Sequence, residues 1–331
     1  MRTTTLGASG PAVSRIGLGL AALGRPGYIN LGHDDDLDGG LDVDAMEARA
    51  HAVLDAAWAA GVRYFDAARS YGRAEAFLAS WLARRGIEPG AAVVGSKWGY
   101  TYTAGWLVEA DRHEVKDHSP ATLDRQLAET RDTLGDHLDL YQVHSATLES
   151  GVLDDRAVLE RLARFREEGR RVGVSVTGPR QGETIDRALA VEVDGRPLFD
   201  AVQATWNLLE PSAGPALARA HAAGLGVIVK EALANGRLAG RSVREGLFAG
   251  IVLLAEEAER LKVQPDALAM AVALAMPWAD VVLSGAATVE QLRSNLGAEA
   301  VPRDEPAEWA MRALAEPPET YWATRSRLPW N

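Results

Sequence analysis

The sequence predicts an α/β chain folded as a closed (β/α)8 barrel, and three observations carry that expectation. Eight short runs rich in β-branched residues recur along the 331 residues, helical patterns lie between them, and several runs are apolar at nearly every position. AVVG and GVIV are such runs, and strands buried on both faces, as in a parallel sheet, read this way. Strand and helix alternating eight times argue for a parallel sheet closed on itself. An open doubly wound sheet is the alternative. Its glycine fingerprint is missing, because Gly17-Leu18-Gly19 is followed by Leu20-Ala21-Ala22 and not by a third glycine opening a helix. A barrel of this kind accommodates the whole length as one domain, residues 1–331.

The opening MRTTTLGASGPAVS reads as a β-hairpin with Gly10-Pro11 near its turn, ahead of the first barrel strand. The barrel strands are expected at 16–20, 64–67, 92–97, 139–144, 171–177, 201–207, 226–232 and 280–285. Met46, Ala50, Val53, Leu54 and Ala57 share one face of a 3.6-residue period and predict the first long helix. Ser119 before Pro120 is a helix start, a capping hydroxyl followed by a preset φ, with Leu123, Leu127 and Leu134 behind it. Val158, Leu162 and Phe165 mark a further helix ended by Gly169, and TVEQLRSNL supplies one after the last strand. Long loops follow the first and third strands.

Composition narrows the function classes. Hydrophobic residues make up 47% of the chain, enough for a large core. The 35 basic residues face 46 acidic ones, net −11, which argues against a nucleic-acid backbone or an anionic membrane as the main partner. There is no cysteine, so disulfides, thiolate chemistry and Cys-based zinc sites are excluded. The N-terminus lacks the apolar run of a signal peptide, and the most apolar segment, ALAMAVALAMPW from Ala267, is too short to span a bilayer. A cytoplasmic protein with a small-molecule partner is expected; nothing in the sequence reads on oligomeric state.

In a (β/α)8 barrel the C-terminal ends of the strands meet at one mouth, where chemistry sits. The stretch Arg63–Glu75, RYFDAARSYGRAE, delivers Asp66 at the end of the second strand and Tyr71 in the loop behind it. The third strand ends in GSKW and delivers Lys97; the fourth ends in YQVH and delivers His144. Singly, each has an ordinary explanation as a cap, a solvated charge or a local hydrogen bond. Together they describe an acid/base for a carbonyl–alcohol pair. A lysine ammonium lowers a phenol's pKa from about 10, an aspartate holds the lysine, and a histidine orients the carbonyl. Such a site has no hydride of its own, so a redox cofactor is expected.

With these residues the chain resembles the aldo-keto reductase superfamily. The likeness runs from IGLGL through FDAARSYG, GSKWG, DLYQVH, GVSVTG, VQATWNLLEP and LANGRL to SGAATVEQLRSNL. The resemblance implies a (β/α)8 barrel that moves hydride between a nicotinamide cofactor and a sugar, aldehyde or ketone. It makes Tyr71 the proton donor, Lys97 and Asp66 the groups that tune it, and His144 the substrate-orienting group. It also implies a cofactor set of Ser175, Gln203, Lys230, Leu233, Asn235, Gly285, Gln291 and Asn295. NADP(H) is the favoured cofactor, with NAD(H) the alternative. Val176 stands where the family has Asn, Lys230 where a Tyr commonly stacks on the nicotinamide, and Ala286 and Ala287 where relatives place hydroxyls or cations on the 2′-phosphate. These departures keep a second class open, a nucleotide-binding barrel without net redox, such as an epimerase, a lyase or a regulatory subunit. A third class is an aldolase with Lys97 as Schiff-base lysine.

The mouth loops are rich in aromatics. Tyr28, Trp98 and Trp206 are the candidate substrate wall, suited to a ring-sized substrate. Asp34, Asp36, Asp38 and Gly39 match the opening of a calcium loop, but its twelfth position is Ala45 instead of a bidentate Glu, so a solvated acidic loop is expected. His113 and His118 find no further ligands for zinc, and no metal is expected.

Overall fold

The structure is a computed structural model describing residues 1–37, 39–244, 251–302, 304 and 312–331. Eight parallel strands close into a barrel: β1 (Ile16–Gly19), β2 (Tyr64–Asp66), β3 (Val93–Trp98), β4 (Leu138–Ala146), β5 (Arg171–Val176), β6 (Ala201–Thr205), β7 (Gly226–Lys230) and β8 (Val281–Ser284). Each pairs with its sequence neighbours, and β8 returns to β1 through Val282↔Ile16 and Ser284↔Leu18. All eight match the expected runs. The doubly wound alternative is therefore excluded by the closure itself.

The strands form where the sequence has no polar face to offer. Every residue of β2, β3, β6 and β8 is buried, so one side packs into the barrel and the other under helices. Those helices are α1 (Val43–Ala59), α2 (Ala74–Arg85), α3 (Pro120–Leu134), α4 (Arg156–Glu167), α5 (Gln181–Leu189) and α6 (Gly214–Ala222), with further ones after β7 and β8. Asp42 caps α1 through Ala45 N–H at 2.9 Å, and Ser119 caps α3 as its Ser-Pro pair predicts. The N-terminal hairpin, Thr3–Thr5 with Ala12–Ser14, closes the floor. Its Leu6 and Val13 join Tyr64, Val93, Ala201 and Val281, residues that begin their strands, in a separate apolar cluster.

Three segments build the opposite, C-terminal rim. The loop after β1 carries a short helix, His33–Leu37, where Asp34, Asp35 and Asp36 form its first turn. Asp38, part of the calcium-like pattern, lies outside the described residues, and among the described residues no His/Asp/Glu group is arranged to hold a metal. The loop after β3 folds into a second hairpin, Tyr100–Tyr102 with Glu114–Lys116. The chain ends in a helix, Pro318–Arg325, and a tail that crosses back over the mouth. Tyr28 and Asn331 exchange backbone hydrogen bonds at 3.0 and 3.2 Å, and the Trp330 ring stacks on His113 with centroids 4.0 Å apart. Among the described residues no helix is long and apolar enough to cross a membrane.

Candidate active site

RYFDAARSYGRAE turns sharply once β2 ends. Gly72 adopts φ +58°, and a Cβ there would stand 2.4 Å from the Gly24 carbonyl oxygen, so the turn that presents Tyr71 needs glycine. Arg69 clips the same loop to the barrel. Its backbone N–H donates to Lys97 O at 3.1 Å, and its guanidinium donates to Glu75 at 2.5 Å and Glu129 at 2.9 Å. Glu75 is itself buried and accepts from Ser96 and Thr130.

This loop brings the predicted tetrad together. Lys97, fully buried, donates from Nζ to the Asp66 carboxylate, to Ala67 O at 2.9 Å and to Tyr71 Oη at 3.3 Å. The second oxygen of Asp66 accepts from Gln203 Nε2 at 2.9 Å, and from Gln142 Nε2 and Tyr64 Oη at 3.3 Å. Those donors stabilise the buried carboxylate and fix its direction. His144 stands edge-on to Tyr71, centroids 5.5 Å apart, with Nδ1 at 3.5 Å from Ser70 Oγ.

The electrostatics differ from the expected lowering of the Tyr71 pKa. Burial, then the Asp66 carboxylate, holds the Tyr71 phenol well above its ordinary 10, with Glu114 and Glu231 adding to this and Arg25 opposing it. The phenol therefore keeps its proton. His144 goes the other way. Burial, and then Lys97, Lys230, His118 and Arg25, hold its imidazole well below 6.5, hence neutral.

The tetrad opens on a cavity of about 560 Å³, a size usual for small-molecule and cofactor sites. Asp66, Tyr71, His144, Gln203, Lys230, Leu233, Asn235, Gly285, Gln291, Asn295 and Tyr28 all line it. Four expected residues do not reach it, and the first is Lys97, fully buried behind Asp66 and Tyr71. Ser175 is buried, its hydroxyl at 3.4 Å from Ser145 N. Trp98 is buried against the His118 ring, and Trp206 packs edge-on to Trp278 in the core. Both indoles follow strand ends, but each side chain points into the layer between strand and helix.

Sequence reasoning missed Arg25, Glu114, Arg325 and Trp330, which also line the cavity. Arg25 is buried, pairs with Glu114 at 2.9 Å and lies 4.8 Å from the Trp330 ring centroid and 5.3 Å from that of Tyr71. The one available signal was the tail's LPWN ending. At the end of β7, Lys230 Nζ pairs with Glu231 at 3.9 Å, and Glu231, at φ +55°, is gripped more closely by Arg325 and by Thr205 Oγ1 at 3.1 Å. Burial lowers Lys230 to about 8, and Arg325 and Lys230 hold Glu231 at about 2 against its own desolvation.

The far part of the cavity suits a nucleotide. A Cβ built on Gly285 would meet no atom within 4 Å, leaving an open cradle beside the helix Val289–Leu296. Buried Asn235 keeps its Oδ1 without a hydrogen-bond partner. Glycine backbone beside a helix start and an unspent amide oxygen are groups a dinucleotide would use.

Comparison with known proteins agrees with this architecture. The chain is 31% identical over 160 residues to pyridoxal 4-dehydrogenase of Microbacterium luteolum, a match that spans only 42% of either chain. It is 25% identical over 315 residues to the oxidoreductase YqkF of Bacillus subtilis, covering 90% of this chain and 91% of that one. Its fold superimposes on the aldo-keto reductase AKR11C1 from Bacillus halodurans in its holo form with a TM-score of 0.71, at 21% identity and over 96% of this chain and 97% of that one. The model of the aldo/keto reductase family matches residues 15–311. The chain belongs to the aldo/keto reductase family, a family of NAD(P)-dependent oxidoreductases.

Proposed function

We propose that this chain transfers a hydride between a nicotinamide dinucleotide and a carbonyl or alcohol, with Tyr71 as general acid and base. One observation carries the reading: the Lys97 ammonium bridges the Asp66 carboxylate and Tyr71 Oη on the wall of the cavity, with neutral His144 beside the phenol. When bound, the cofactor supplies or accepts the hydride. Gln203 and Lys230 would face its nicotinamide, and Leu233, Asn235, Gly285, Gln291 and Asn295 the remainder.

The residues divide the proton work. A phenol held above its ordinary pKa keeps its proton until an alkoxide develops next to it. Lys97, at 3.3 Å, then stabilises the phenolate left behind. Asp66 holds Lys97 in place. Neutral His144 has one ring nitrogen toward Ser70, so the other is free to donate to the carbonyl oxygen. A Schiff base at Lys97 is disfavoured by its placement, since Nζ is fully buried behind Asp66 and Tyr71 and does not line the cavity where a carbonyl would sit.

Tyr28 and Trp330, with Arg25 behind them, offer a flat wall for a ring, and the partial likeness to a pyridoxal dehydrogenase makes aromatic aldehydes a first choice beside sugars. NADP(H) is the cofactor the resemblance favours; the charges at the far end of the cavity favour NAD(H). Oxidation of each reduced cofactor by a panel of aromatic aldehydes and sugars tests the reading. Turnover of at least one carbonyl supports it, and no turnover together with no cofactor binding contradicts it.

A further inference from the structure

The loop after β1 lies across the far end of the cavity, and the chain ties it there. Leu31 N–H donates to Asn235 O at 3.1 Å, and Asn235 Nδ2 donates to Ile29 O at 2.9 Å. His33 and Leu37 are buried beneath the short helix they bound. Arg241 reaches up to Gly32 O at 3.2 Å and to Asp35 at 3.0 Å. Asp36 is therefore held in place. Its carboxylate accepts from Gln291 Nε2 at 2.6 Å, and both residues line the cavity.

The charges around this pair have one sign. Asp36, Asp266 and Glu290 line the end, and among the described lining residues there the one cation is Arg241, already engaged by Asp35. Gly285 and Ala286 also line the cavity. Neither residue has a side-chain hydroxyl or cation to offer. A phosphate monoester needs cations and donors; here it would meet the Asp36 carboxylate, with neutral donors such as Gln291, Thr288 and Ser294 but no unengaged cation among the described lining residues of this end. A ribose diol has the opposite need. Its hydroxyls donate, and a carboxylate oriented by an amide is a good acceptor for them.

We infer that Asp36 makes this end of the cavity a site for a free ribose diol, so that the chain selects NAD(H) over NADP(H). The inference rests on the dinucleotide reading given above and deepens it. Discrimination arises as much by repelling the wrong ligand as by holding the right one. It was hidden in the sequence because Asp36 and Gln291 lie 255 residues apart and the acidic run reads as solvated surface.

Direct binding decides it, without catalysis. NADH and NADPH are titrated against the full chain, following quenching of tryptophan fluorescence, and repeated with Asp36→Asn and with Asp34→Asn. The unaltered chain binds NADH at least about tenfold more tightly than NADPH. Asp36→Asn, which preserves an acceptor for Gln291, shrinks that ratio by roughly tenfold, chiefly by strengthening NADPH. Asp34→Asn, an exposed charge on the same helix outside the cavity, leaves the ratio unchanged. NADPH binding as tightly as NADH, or a ratio indifferent to Asp36→Asn, overturns the inference and leaves the oxidoreductase reading intact. Failure of both dinucleotides to bind overturns the two together.

Discussion

Glu231 gives its carboxylate to Arg325, 94 residues away in sequence, and leaves its own neighbour Lys230 at 3.9 Å. The tail helix is thereby pinned to the end of β7, inside the mouth. Removing one partner strands a desolvated charge. Arg325→Met is expected to cost about 2 kcal/mol of stability, with Lys230 as partial compensation. Because Glu231 is held at about 2 instead of its usual 4.5, the stabilisation is complete above pH 4.5 and disappears as pH falls through about 2. Chemical denaturation of the unaltered chain and the variant across that window checks both statements.

Lys230 left without a full counter-charge has a consequence for the cofactor. A cation beside the nicotinamide favours the neutral reduced ring over the positive oxidised one. Lys230 titrates at about 8, so the preference for reduced cofactor should relax as pH rises through 8. In Lys230→Met the affinity ratio of oxidised to reduced cofactor should rise at pH 7 and become flat with pH. Titrations at pH 6.5 and 9.5, on the order of 1.5 units either side of that midpoint, provide the test. A depressed lysine also destabilises the folded chain fully below about 8, a cost relieved as pH rises from there to its ordinary 10.5, and Lys230→Met should raise stability at neutral pH by roughly 2 kcal/mol.

His144 is buried and neutral, so its protonation should not shape the rate at physiological pH. The profile of kcat/KM is expected to show no break near 6.5, where an ordinary histidine would titrate. His144→Ala removes the donor to the carbonyl and should lower kcat/KM by about 10² to 10³. A break near 6.5 in the unaltered chain that disappears in His144→Ala would contradict this.

Glu75 is the buried hub of the loop that carries Tyr71, joined to Arg69, Ser96 and Thr130. Glu75→Leu leaves the half-buried Arg69 and two buried hydroxyls short of an acceptor and should cost about 3 kcal/mol. Loss of stability with unchanged kcat at low temperature would separate this scaffold role from a chemical one.

Much of this was legible in the chain. Eight apolar runs, the Ser-Pro cap at Ser119 and the positions of Asp66, Lys97 and His144 on their strands follow local rules of burial and periodicity, and the strands and the cap are found where those rules put them. Trp98 and Trp206 misled because a strand end says where a residue is, not which layer its side chain enters. Arg25, Glu114, Arg325 and Trp330 were missed for a different reason. Each sits in a loop excursion or the C-terminal segment outside the eight strand–helix repeats, and only the folded barrel brings them to one mouth. The raised Tyr71 pKa was also beyond local reading, since it depends on burial, on nearby Asp66 and on carboxylates from two distant segments, Glu114 and Glu231.

The central claim is that Tyr71 delivers the proton. The direct measurement compares Tyr71→Phe with the unaltered chain, in turnover of a reducible carbonyl and in cofactor affinity. The ring stays and the hydroxyl goes, so cofactor binding should be nearly unchanged while kcat falls by about 10² to 10⁴. Turnover in Tyr71→Phe equal to that of the unaltered chain would contradict the account and move the search for the acid to another group in the cavity.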